Sequence, residues 1–115
     1  MNSTIKDLVE AIKKRKASKS DKSYTYSLLN KGLDKCTEKL EEEFFEFKNA
    51  TKDKNNIIHE GADLIYHLLV TLESANVNFE DILKELERRK GQSGLEEKKN
   101  RKWPMIKTTY LPKFW

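Results

Sequence analysis

The stretch Glu60-Gly61-Ala62-Asp63-Leu64-Ile65-Tyr66-His67-Leu68-Leu69-Val70 decides the fold class. From Leu64 to Val70 it is apolar nearly all round a helical projection, which predicts a helix buried on most of its sides. Glu60 and Asp63, three residues apart and therefore on one face, stand at its start. A carboxylate among such neighbours is costly unless a cation or hydrogen bonds satisfy it. The helix is expected to run from Ile57 to about Ala75.

Upstream, residues 33–50 read as a long helix with Leu33, Cys36, Leu40, Phe44 and Phe47 on one face. Lys39, Glu43 and Glu46 form the adjoining stripe, with Glu42 just beyond it. Thr51 to Asn56 is the expected turn, which makes the two helices antiparallel neighbours. Glu43, Glu46, Glu60 and Asp63 can then converge on a hard divalent ion, and oxygen-only ligation suits Mg²⁺ or Mn²⁺ over zinc. The competing reading is that acidic runs such as Glu41-Glu42-Glu43 are solvated helix faces paired with lysines. A di-iron bundle would need Glu-x-x-His pairs, and the sequence has none.

The rest of the chain repeats the helical period. Ile5, Leu8, Val9 and Ile12 follow the i, i+3, i+4, i+7 pattern behind a Ser3/Thr4 cap. The lysine- and serine-rich segment 17–23 reads as a linker, and residues 23–30 as a short helix ending near Gly32, with Ser23 at its capping position. After Asn76-Val77-Asn78, Asn78 is placed to cap another helix, with Asp81 in its first turn and Val77 and Ile82 as a hydrophobic staple. That helix runs to Arg89 and stops at Gly91. Residues 95–102 are charged and expected to be helical. Alternating strand patterns and hairpin signals are missing. The fold class is therefore all-α, a bundle of about four to five helices, with residues 1–102 as one domain and 103–115 as an aromatic tail outside it.

Net charge sharpens the functional reading. The total of +4 divides into +4 over residues 1–23, −5 over 24–89 and +5 over 90–115. The acidic centre suits metal binding, and the cationic ends suit a polyphosphate substrate better than a nucleic-acid duplex, so no nucleic-acid partner is expected. No apolar run approaches the roughly 18 residues of a membrane span, and no signal peptide stands at the N-terminus, so a cytoplasmic location is expected and no membrane partner. Cys36, the one cysteine, cannot form an intrachain disulfide and reads as a small core residue. A 115-residue chain this polar has a thin core, which favours oligomerisation.

Several runs together carry a resemblance: Ser23-Tyr24-Thr25; Gly32-Leu33-Asp34-Lys35; Lys39; Glu42-Glu43-x-x-Glu46; residues 60–70; Glu85-Leu86-x-x-Arg89; and residues 91–98. Over residues 5–101 the chain closely resembles phosphoribosyl-ATP pyrophosphohydrolase, the second enzyme of histidine biosynthesis. The Glu-x-x-Glu…Glu-x-x-Asp spacing alone is shared with the wider all-α pyrophosphohydrolases, including MazG proteins and dimeric dUTPases. The resemblance implies hydrolysis of the α–β phosphoanhydride of phosphoribosyl-ATP to phosphoribosyl-AMP and pyrophosphate. It also implies a homodimer whose helices complete one larger bundle, and a link to phosphoribosyl-AMP cyclohydrolase.

Residue by residue, Glu43, Glu46, Glu60 and Asp63 match the family's metal ligands. Glu42 is an extra ligand or the group that orients and deprotonates the water. Lys39 and Arg89 are the expected phosphate contacts. Tyr66 and His67 also match family positions, but a histidine on an apolar helix reads first as a hydrogen-bonded core residue, and His59 reads as surface. Where the family often has glycine this chain has Glu41, and Phe44 and Phe45 replace smaller residues. Phe44 is expected to fill core and Phe45 to meet a second subunit. The alternatives are a house-cleaning (d)NTP pyrophosphatase on the same scaffold and a non-enzymatic helical module that binds nucleic acid through the basic ends.

Overall fold

The computed structural model describes residues 3–91. Five helices follow one another: α1 (Ser3–Ser18), α2 (Tyr24–Lys31), α3 (Leu33–Asp53), α4 (Ile57–Ser74) and α5 (Phe79–Arg89), with no strand among the described residues. The chain divides between Phe79 and Glu80 into two units. Helices α1–α4 belong to the first, and α5 beyond Phe79 to the second. The expected helix over 95–102 and the 103–115 tail lie outside the described residues.

Local chemistry sets most of the boundaries. Helix α1 begins at Ser3, so Ser3 and Thr4 lie in its first turn rather than ahead of it, and it continues through Ser18 into the segment expected as linker. Ser23 caps α2 as its position predicts: its backbone is extended and its hydroxyl accepts from the Tyr26 amide at 3.1 Å. Ser23→Ala should therefore cost about 0.5–2 kcal/mol of stability, readable in urea denaturation. Gly32, at φ +97°, separates α2 from α3, a conformation that side-chain-bearing residues rarely adopt. Helix α3 runs three residues further than the expected 33–50, to Asp53. The turn into α4 is compressed into Lys54-Asn55-Asn56, with Lys54 and Asn56 both left-handed. Helix α5 starts directly after Asn78, with Asp81 in its first turn as expected and Glu80 beside it, and ends before Gly91 at φ +81°.

Helices α3 and α4 form the central hairpin, and α1 and α2 lie against it. The core is small: Ile12, Leu28, Cys36, Leu69 and Val70 meet there, flanked by Leu8, Val9, Leu29, Tyr66, Leu72 and Phe79. Cys36 is buried and donates to the Leu28 carbonyl oxygen at 3.4 Å, while the Thr71 hydroxyl reaches the Cys36 carbonyl at 3.3 Å. On the rim, Lys13 and Lys16 of α1 pair with Glu73 of α4 at 2.9 and 3.5 Å.

Two expectations about burial fail for one reason. Helix α4 is not enclosed on most sides, because Ile65 and Leu68 are 46% and 42% exposed, and Phe44 does not fill core, being 49% exposed. Among the described residues, α1 and α2 pack against the α3–α4 hairpin, and these apolar side chains stay exposed. Phe45 is half-exposed beside Phe44, their rings 5.7 Å apart and edge to face. An apolar stripe in the sequence marks a face that wants cover, and the described helices supply only part of that cover.

Candidate functional site

The carboxylates singled out by spacing gather near the α3–α4 turn. Glu43 and Glu46, one helical turn apart on α3, and Glu60, in the first turn of α4, each present an oxygen within 4.8 Å of the others. Glu60 also belongs to a second group, with Asp63 one turn on and His59 beside it, under the same limit. The four expected ligands therefore fall into two overlapping clusters sharing Glu60. Beneath Glu60, the neighbouring Gly61 faces the Phe47 ring of α3: a Cβ added there would meet the ring at 3.5 Å, an ordinary contact. Gly61→Ala should accordingly stabilise the helix by about 0.5–1 kcal/mol in thermal or urea melts.

Glu60 is the electrostatic centre. Its side chain is only 15% exposed, and its Oε2 is buried without a hydrogen-bond partner among the described residues. Burial first, then the Glu46 carboxylate, push its pKa above the ordinary value, with His59 partly opposing them. The helix N-terminus offers modest relief to a negative charge there. An orphaned, desolvated carboxylate oxygen facing further carboxylates is what a cation would satisfy. The residues present therefore fit a divalent ion.

The other predicted residues divide. Glu42 stands outside both clusters and pairs with Lys39 at 3.0 Å, and that pairing raises the Lys39 pKa. Glu42 nonetheless lines an open groove of about 590 Å³ together with Phe45, Glu46, Asn56 and Glu60. Arg89 lies on α5, where its Nε donates to Glu85 at 2.8 Å; bonds from Arg88 and Arg89 hold the Glu85 carboxyl down at about 2. His67 is the buried, hydrogen-bonded residue expected: Nδ1 lies 2.9 Å from the Asp63 carbonyl oxygen and Nε2 lies 3.3 Å from the Tyr24 hydroxyl. The Tyr66 hydroxyl bonds to Thr25, tying the Ser23-Tyr24-Thr25 segment to α4. Burial pushes its phenol pKa up.

Sequence reading passed over His59. It is exposed, as expected, but its Nε2 lies 3.2 Å from Asp63 Oδ2 and 3.9 Å from Glu60 Oε1. The available signal was its i, i+4 spacing to Asp63. The groove's far wall, Asn49, Asp53 and Asn55-Asn56, was also unforeseen. Asn49 and Asp53 belong to the last turns of α3, and Asn55-Asn56 to the turn after it, which no apolar period marks.

The model of phosphoribosyl-ATP pyrophosphohydrolase matches residues 5–90, most of the chain and all four clustered carboxylates. The chain belongs to the phosphoribosyl-ATP pyrophosphohydrolase family. It is 47% identical to a phosphoribosyl-ATP pyrophosphatase of Vesicomyosocius okutanii over 88% of this chain and 98% of the relative. A pyrophosphatase of the same description from Ruegeria pomeroyi is 43% identical, over 84% and 93%. A histidine biosynthesis bifunctional protein of Helicobacter hepaticus is 47% identical over 84% of this chain, the match spanning 42% of that longer protein. In this member of the phosphoribosyl-ATP pyrophosphohydrolases both Phe44 and Phe45 are about half-exposed. None of the described helices is long and apolar enough to cross a membrane.

Proposed function

We propose that the groove between α3 and α4 is where this family member cleaves phosphoribosyl-ATP to phosphoribosyl-AMP and pyrophosphate in histidine biosynthesis. The observation that carries the reading is the convergence of Glu43, Glu46 and Glu60, with one Glu60 oxygen buried and unpartnered. Family membership supplies the substrate and the reaction.

In this reading Glu43, Glu46, Glu60 and Asp63 hold a divalent ion, Mg²⁺ or Mn²⁺. Such an ion, when bound, neutralises charge on phosphate oxygens and lowers the pKa of a bound water. Glu42, on the groove wall beside the cluster, orients and deprotonates the attacking water. Lys39 keeps Glu42 compensated in the free chain and turns to a phosphate oxygen when the polyphosphate enters, exchanging one anionic partner for another. The opened hydrophobic side of the hairpin, with Phe44, Phe45, Ile65 and Leu68, is covered by a second copy in a homodimer. The chain works in the cytoplasm. The bifunctional relative supports a functional link to phosphoribosyl-AMP cyclohydrolase, which consumes the product.

Pyrophosphate release from phosphoribosyl-ATP, measured with and without Mg²⁺ and against a panel of dNTPs, tests the reading. Metal-dependent turnover with a clear preference for phosphoribosyl-ATP is expected, and preference for a free dNTP would overturn it. Phe45→Ser should convert a two-chain species into a single chain in sedimentation velocity while leaving the helical circular dichroism intact.

A further inference from the structure

We propose that Tyr24, the first residue of α2, is the platform on which the adenine ring of the substrate stacks. The inference rests on the phosphoribosyl-ATP reading above and deepens it by giving the base a place. Tyr24 is 53% exposed, and the segment that carries it is fastened without its ring. The Ser23 hydroxyl caps α2 on the Tyr26 amide, and the hydroxyls of Thr25 and Tyr66 bond to each other.

The exposed ring is nonetheless held in one orientation. Its hydroxyl lies 3.3 Å from Nε2 of the buried His67. His67 Nδ1 lies 2.9 Å from the Asp63 carbonyl oxygen, which can only accept, so Nδ1 carries a proton. In the neutral imidazole Nε2 is then the acceptor, and the Tyr24 hydroxyl donates to it. Tyr66 backs the phenol ring at a centroid distance of 6.3 Å with the planes 23° apart, and His67 meets it edge on at 6.1 Å. A side chain at the surface ordinarily moves between rotamers. This one is tied at its hydroxyl and backed on one side, and the rest of the ring is open. A preorganised aromatic surface loses little freedom on binding, and every nucleobase has a π-face to lay on it.

The position suits a nucleotide whose phosphates reach the carboxylates. The Lys39 pKa is raised by Glu42 first and by Tyr24 in smaller part, which sets the phenol near the Lys39 ammonium. Lys39 in turn pairs with Glu42 of the groove wall at 3.0 Å. On α3 it precedes Glu43 by one turn and Glu46 by two, about 6 and 10 Å along the helix. Phosphates held between Lys39 and the carboxylates leave the base at the Tyr24 end.

AMP and inorganic pyrophosphate are the probes, each titrated calorimetrically into the full chain with Mg²⁺. The full chain should bind both. Tyr24→Leu should weaken AMP binding about tenfold and leave pyrophosphate binding unchanged, with circular dichroism intact. It should also raise KM for phosphoribosyl-ATP about tenfold with kcat held, the pattern of a lost binding contact. Tyr24→Phe keeps the ring and loses the tie to His67, so its AMP affinity should fall between the other two. Failure of the full chain to bind AMP, or unchanged AMP affinity in Tyr24→Leu, overturns the platform. Equal losses for AMP and pyrophosphate overturn it in favour of a structural role. Loss of a two-chain species in sedimentation velocity at unchanged AMP affinity overturns it in favour of a contact between copies. Tyr24-dependent AMP binding in a chain that does not cleave phosphoribosyl-ATP overturns the reaction and leaves the platform standing.

Discussion

Glu60→Gln should lower the rate of phosphoribosyl-ATP cleavage by on the order of 10³-fold and raise the melting temperature of the metal-free chain. The two effects share one cause. In the free chain the Glu60 carboxylate is desolvated, faces Glu46, and leaves one oxygen unpartnered; each of these disfavours its charge. An uncharged amide of the same shape removes the repulsion and can donate a hydrogen bond to the Glu46 carboxylate. The fold gains, readable as a higher melting temperature in a thermal melt run with chelator. The same change takes away the oxygen charge shared by both ligand clusters, so metal affinity and activity go together. Stability given up at a site that needs like charges close together is a common trade against function. Asp63→Asn should lose activity as well, without the rise in melting temperature, because Asp63 is more exposed and has His59 beside it. Pyrophosphate-release kinetics and melts of the two variants in chelator and in Mg²⁺ check the pair. An unchanged or lowered melting temperature for Glu60→Gln would show that Glu60 is already compensated in the free chain.

The contrast between Glu60 and Phe44 shows what the sequence could and could not reveal. Helix periodicity and capping chemistry were enough to locate all five helices, because spacing and Ser, Asn and Gly chemistry act locally. They were also enough to bring Glu43, Glu46 and Glu60 together, since two facing helices joined by a short turn leave few other arrangements. Burial was less legible. An apolar residue at i, i+3, i+4 spacing reports that a face wants cover, but not whether the same chain or another copy provides it. Hence Phe44, expected in the core, stands half-exposed, while Leu69 and Val70 on α4 are buried. His59 escaped for the opposite reason. An exposed polar side chain has no period to betray it, and only the rotamer that turns its Nε2 toward Asp63 and Glu60 gives it a place in the site. Asn55 and Asn56 escaped because a left-handed turn leaves only a composition bias behind.

Leu28→Ala should destabilise the chain more than any surface change, by roughly 2–5 kcal/mol. Leu28 is 2% exposed and meets Ile12, Cys36, Leu69 and Val70, so its side chain stands where α1, α2, α3 and α4 come together. Truncation removes its burial energy and leaves a cavity whose walls belong to four different helices. Those walls cannot close without moving α2, which is only eight residues long and is pinned at its start by the Ser23 cap and beside Leu28 by the Cys36 thiol. Domains of this size are stable by about 5–15 kcal/mol in total, and this core has few other fully buried apolar side chains to share the loss. The melting temperature should fall by on the order of 10–25 °C, with a matching fall in the urea midpoint. Leu28 lies on α2, apart from the α3 and α4 carboxylates, so turnover per folded molecule should hold at low temperature and disappear on warming. A Leu28→Ala chain as stable as the parent would mean that this four-helix junction is not the core that holds the hairpin. The carboxylate cluster would then have to be held by the α3–α4 pair alone.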